Sequence, residues 1–129
     1  MKVILKMIAR IRGHKRHILP SSRLNMKISK RSIRDYLVFD LDENISYENS
    51  EELYGFIFSS LEPESKKVVL NIEKVTYINS FALGTIIKIL QDLEKKDIIF
   101  YLMKTSHEVK TLLKVTGILP KFRFFEDEH

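Results

Sequence analysis

The chain has 129 residues, 44% apolar and 30% charged, with no cysteine; this suits one packed domain and excludes a disulfide framework, a thiolate zinc site and a cysteine nucleophile. No apolar run approaches the ~20 residues needed to span a bilayer, and the lack of cysteine leads us to expect a reducing, cytoplasmic setting. The net charge of +5 is concentrated at one end: residues 1–25 hold seven of the 22 basic residues and no acid, which leaves 15 basic against 17 acidic groups in the remainder. The body is near neutral, so the basic balance does not imply that the domain itself binds nucleic acid.

The composition changes near Leu19-Pro20-Ser21-Ser22, which divides a basic N-terminal extension, residues 1–25, from a domain over residues 26–129. In the extension Val3, Ile4, Met7, Ile8 and Ile11 recur at helical spacing among basic residues. Such a segment could contact an anionic surface, touch nucleic acid, pack on the domain or extend without structure; alternatively Met26 is the natural start. From Met26 onward strand and helix patterns alternate. Lys27–Ile33 and Tyr36–Leu41 are strands joined as a hairpin around Arg34-Asp35, with Leu37 and Phe39 on one face and Val38 on the other.

Asn49 with Glu52 reads as a capping box, after which Leu53, Phe56, Ile57 and Leu61 mark one side of a helix stopped by Pro63. The continuous VVLNI within Lys66–Ile72 reads as a central parallel strand buried on both faces. A second helix follows Asn79, with Leu83, Ile86, Ile87, Leu90 and Leu93 at intervals of three and four, and Ile98–Met103 is another buried strand. Thr105 with Glu108 predicts a second capping box, Val109, Leu112 and Leu113 the inner face of a third helix, and Gly117 its left-handed C-terminal position. Phe122–Phe125 closes the sheet. The pattern predicts an α/β fold: a mixed, mostly parallel sheet with an N-terminal hairpin and helices packed against it.

No convergent catalytic set is present. His14, His17, His107 and His129 lack partners at metal-ligand spacing, and no GxxxxGK[ST], GxGxxG or GxSxG occurs, so the chain does not read as an enzyme and no cofactor is implied. His107 reads as an exposed residue in a helix's first turn. The informative stretch is Val68–Thr85, VVLNIEKVTYINSFALGT, where a strand runs through a polar loop into a helix. Asn79 or Ser80 could simply cap that helix. A serine there is also reachable by a kinase, and the free N–H groups and positive dipole end tolerate an added phosphate.

From about Met26 to Glu126 the order of elements and the local words resemble the STAS domain of the anti-sigma factor antagonist family. The resemblance is carried by NSEEL at Asn49–Leu53, VVLNIEKVTYINS, ALGTI, SHEVKTLLKVTGI and FRFFED. It implies a single-domain STAS-like fold and a partner-switching function: binding of an anti-sigma factor serine kinase, release on phosphorylation by that kinase, and reset by a serine phosphatase. It further implies Ser80 as the phosphoacceptor and Asn79, Ser80, Phe81, Ala82 and Leu83 as partner-binding residues. Where family members commonly carry Asp-Ser-Ser/Thr-Gly-Leu-Gly, this chain has Asn79, Phe81 and Ala82 in place of the acid, the small hydroxyl residue and the first glycine. A non-phosphorylated STAS scaffold or sensor module is the alternative reading.

Overall fold

The computed structural model describes residues 25–125; the basic stretch at residues 1–24 and the last four residues lie outside the described part. Five strands form one sheet in the order β1-β2-β3-β4-β5. These are β1 (Ile28–Ile33), β2 (Tyr36–Leu41), β3 (Lys67–Asn71), β4 (Ile99–Met103) and β5 (Arg123–Phe125). The first pair is antiparallel, with Ile33 opposite Tyr36 across the turn at Arg34-Asp35, and the remaining pairs are parallel. Helix α1 (Ser50–Ser59) connects β2 to β3, α2 (Ser80–Glu94) connects β3 to β4, and α3 (His107–Val115) leads through a 3₁₀ turn, Leu119–Lys121, to β5. The predicted α/β fold with its leading hairpin is therefore the observed one.

Strand alternation sorts the sheet into two faces. Phe39, Leu41, Val68, Leu70, Phe100 and Leu102 point to a core completed by Leu53 and Ile57 of α1, Ala82, Ile86, Ile89, Leu90 and Leu93 of α2, and Val109 and Leu113 of α3. Val38, Val69 and Met103 point the other way and are fully buried among Ile33, Tyr36, Tyr101 and Phe125. The rings of Tyr36, Tyr101 and Phe125 meet edge to face there, at centroid separations of 4.9 to 6.1 Å. Burial on both sides of Val68-Val69-Leu70 is what the unbroken apolar run demanded.

Two helix starts differ from expectation. At α1, the Asn49 side chain caps nothing: its Oδ1 accepts from the Ser46 N–H at 2.8 Å and its Nδ2 donates to the Asn44 carbonyl at 2.9 Å. Glu52 turns away from Asn49 and accepts from the N–H groups of Asn25 and Met26, at 2.9 and 3.0 Å. The box fails because Asn49 is taken up within the β2–α1 loop while Glu52 reaches a distant partner at the entry to β1. At α3 the cap is Ser106, whose Oγ accepts from the Val109 N–H at 3.1 Å, and the expected cap Thr105 is left with a buried hydroxyl. Adjacent hydroxyl residues make such a one-place shift easy, since either supplies an oxygen near the first turn.

The ends of α2 and α3 are built alike. After α3, Gly117 at φ 80° lets its N–H reach the Lys114 carbonyl and that of Ile118 reach Leu113, both at 3.0 Å, which is the Schellman arrangement. After α2 the same pair runs from Asp97 to Glu94 and from Ile98 to Leu93, with Asp97 at φ 61° in the position glycine prefers.

Candidate functional site

The loop between β3 and α2 is pinned from below and from the side. Val75 and Ile78 are buried in the core, and Asn44, in the loop after β2, accepts with its Oδ1 from the N–H groups of Thr76 and Tyr77 at 2.9 and 3.3 Å. At the helix start, Asn79 has extended backbone and its Oδ1 accepts from the Ala82 N–H at 2.7 Å. Asn79 is thus the cap, and Ser80 follows as the first helical residue. Ser80 is exposed, and its hydroxyl makes no hydrogen bond among the described residues. The unresolved choice between the two residues is settled by geometry: capping is done next door, and the serine oxygen has no structural task.

Of the other expected site residues, Phe81 faces outward, 41% exposed, with its ring 5.2 Å from that of Tyr47, itself 71% exposed. Ala82 has no exposed surface, so it seats the first turn against the core instead of meeting a partner. Leu83 is half-buried against the same core. Asn79, Ser80 and Phe81 are the members of the expected set on the surface, and exposed Tyr77 and Tyr47 extend it.

Beside Ser80 a groove of about 580 Å³ runs between α1 and α2, with Tyr47, Glu48, Glu51 and Tyr54 on one wall and Ser80, Phe81, Thr85 and Lys88 among the residues of the other. Beneath it lies a charged hub on Asp92, a buried α2 residue. Lys88 Nζ is 2.7 Å from Asp92 Oδ2, both side chains are 11% exposed, and the Tyr54 hydroxyl donates to the same oxygen. Burial by itself would raise the Asp92 carboxyl, but the hydrogen bonds from Lys88 and Tyr54 and the charges of Lys88 and Lys95 outweigh it and hold the group below the ordinary carboxylate value. Burial first, then the Asp92 carboxylate, push the Tyr54 phenol well above its usual value. This hub clamps α1 to α2 and fixes the groove's width.

A family model described as the STAS domain matches residues 27–129. The chain belongs to the STAS domain family. Three solved structures show the likeness in space. One, from Thermotoga maritima and assigned as an anti-sigma factor antagonist, is 21% identical, with 78% of this chain and 86% of that one covered at a TM-score of 0.69. A sulfate transporter family protein from Wolinella succinogenes is 17% identical over 74% and 80%, at 0.65. The Bacillus cell fate determinant SpoIIAA in its phosphorylated form is 15% identical over 78% and 90%, at 0.59. At these identities the likeness is one of fold, and the fold hosts both transporter-associated and sigma-regulatory members. No helix among the described residues of this STAS domain is long and apolar enough to cross a membrane.

Tyr47, Glu51, Tyr54, Lys88 and Asp92 were not singled out by sequence. A signal existed: Tyr47, just before α1, and Glu51 and Tyr54 within it recur at intervals of four and three, as do Phe81, Thr85, Lys88 and Asp92 of α2, a second stripe beside each core face.

Proposed function

We propose that this STAS domain is an anti-sigma factor antagonist that docks an anti-sigma factor serine kinase through Asn79, Ser80, Phe81 and the adjoining groove, and is switched off by phosphorylation of Ser80. It acts by binding, in the cytoplasm, with a serine phosphatase to reset it. The observation that carries the reading is the exposed Ser80 hydroxyl at the first position of a 15-residue helix capped by its neighbour. Phosphate there gains about −1.5 to −2 charge beside the N–H groups and positive end of the helix, so the monomer tolerates it. A partner lying flush on Phe81 and Tyr47 would have to desolvate that charge, and the complex dissociates.

Incubation with an anti-sigma kinase and ATP should label the wild type and not Ser80→Ala, and Ser80→Asp should lose kinase binding while melting as a folded protein. Equal labelling of Ser80→Ala overturns the assignment. A second reading, a scaffold that docks proteins without being phosphorylated, draws on Phe81, whose outward ring stands where a small residue would leave the serine open. It is selected if no kinase labels Ser80 and Phe81→Ala weakens partner binding without lowering the melting temperature.

A further inference from the structure

We propose that the groove between α1 and α2 is a seat for an arginine side chain carried on an amphipathic segment of the docking partner, with Glu51 as its counter-charge. The inference rests on the reading that this face docks a protein, and it names the chemistry that the partner must bring.

Three observations converge on it. First, Glu51 lines the groove, and its Oε2 is buried with no hydrogen-bond partner among the described residues. A carboxylate with an oxygen that has no donor gains from a cationic partner close by. Second, the groove's charge is unbalanced in the same sense. Among the described residues Glu48 and Glu51 both line it, while the one lysine there, Lys88, stands 2.7 Å from Asp92 and has its charge matched within the wall. Third, Tyr47 and Phe81 give the groove an aromatic wall, their rings 5.2 Å apart, whereas the Tyr54 ring is already stacked on Phe58.

Aromatic rings and a carboxylate in one groove suit a guanidinium, which stacks on rings through its plane and donates through its edge; an ammonium does only the second well. An anionic ligand such as a lipid headgroup would meet two carboxylates and is disfavoured. The flanking exposed surface of Tyr47 and Phe81 calls for apolar residues on either side of the arginine, hence an amphipathic segment and not a free small molecule.

The test is a ¹H–¹⁵N titration of the full chain with a short leucine- and glutamine-based amphipathic peptide bearing one central arginine, and with the same peptide carrying neutral citrulline instead. The amides of Glu51, Phe81 and Thr85 should shift, and citrulline should weaken binding about tenfold or more, the order expected for losing a hydrogen bond to a charged group. Glu51→Gln should weaken the arginine peptide by the same factor and leave the citrulline peptide unchanged. Equal affinity of the two peptides overturns the inference, and so does an unaffected Glu51→Gln. Unmoved groove amides overturn it too, whether the groove is then empty or held by the chain's own basic residues 1–25. No kinase or ATP enters this experiment, so labelling of Ser80 without any preference for arginine would leave the proposed function standing and remove only the arginine seat.

Discussion

The separation of labour between Asn79 and Ser80 predicts opposite consequences for two adjacent alanine substitutions. Asn79→Ala deletes the acceptor 2.7 Å from the Ala82 N–H and leaves that donor without its cap. Loss of an N-cap of this kind costs about 1 kcal/mol, within a range of roughly 0.5–2. For a domain of about 100 residues, 1 kcal/mol corresponds to a fall in melting temperature of roughly 4–8 °C, and at a urea dependence of about 1–1.5 kcal/mol/M to a midpoint lowered by roughly 0.7–1 M. Ser80→Ala removes a hydroxyl with no hydrogen bond among the described residues and substitutes a better helix former, so stability should stay within about 0.5 kcal/mol of wild type or rise slightly. Asn79→Asp keeps the acceptor and adds negative charge at the helix start, a gain of about 0.3–1 kcal/mol at low salt. Urea unfolding followed by circular dichroism measures all three. If Ser80→Ala proved the costly substitution and Asn79→Ala the neutral one, the serine would be the cap, and its availability as a free handle would be refuted.

The remaining predictions concern the scaffold. Asp92→Ala removes the carboxylate 2.7 Å from Lys88 and the acceptor of the Tyr54 hydroxyl and should destabilise by about 1–3 kcal/mol, whereas an apolar pair replacing Asp92 and Lys88 should recover most of the loss; a double substitution no better than Asp92→Ala would refute the clamp. The carboxyls of Asp92 and of Asp40, the latter held down chiefly by its hydrogen bond from Arg31, are depressed from 3.8 in the folded state. Their contribution is therefore complete above about pH 4 and lost as pH falls through the folded values. Urea midpoints at pH 7 and pH 3 should differ less in Asp40→Asn than in wild type, and an equal difference would contradict the assignment. Space is open around both Gly55 and Gly117, so backbone alone decides their substitutions. Gly55→Ala, in α1, should stabilise by up to about 1 kcal/mol, and Gly117→Ala, at φ 80°, should cost about 1–2 kcal/mol; thermal melts of the two should move in opposite directions.

The strands and their order were legible because the cues are local and redundant. Val68-Val69-Leu70 reads as doubly buried from composition alone, and Arg34-Asp35 separates two runs whose alternation assigns Phe39 and Val38 to opposite faces. Gly117 was legible for the same reason: a left-handed helix end has few solutions. The caps were less so. Asn49 and Glu52 have the spacing of a reciprocal box, yet each is drawn to a partner that sequence spacing does not reveal, Glu52 to Met26 and Asn49 to Ser46 and Asn44. The hub was least legible, since Asp92 finds the Tyr54 hydroxyl 38 residues away, on the facing helix. Phe81 could not be oriented from its neighbours: whether it fills the core or the surface depends on Tyr47, contributed by another loop.

The outer rim of the sheet at β1 has its own consequence. Its sequence ISKRSI places Ser29, Lys30 and Ser32 in solvent, and Arg31 is tied back to Asp40. An additional strand from a neighbouring molecule would have to strip water from the Lys30 ammonium and displace a guanidinium from its carboxylate to gain a ladder of amide bonds. Polar residues at this border therefore protect a sheet with a strongly apolar interior from growing into an aggregate.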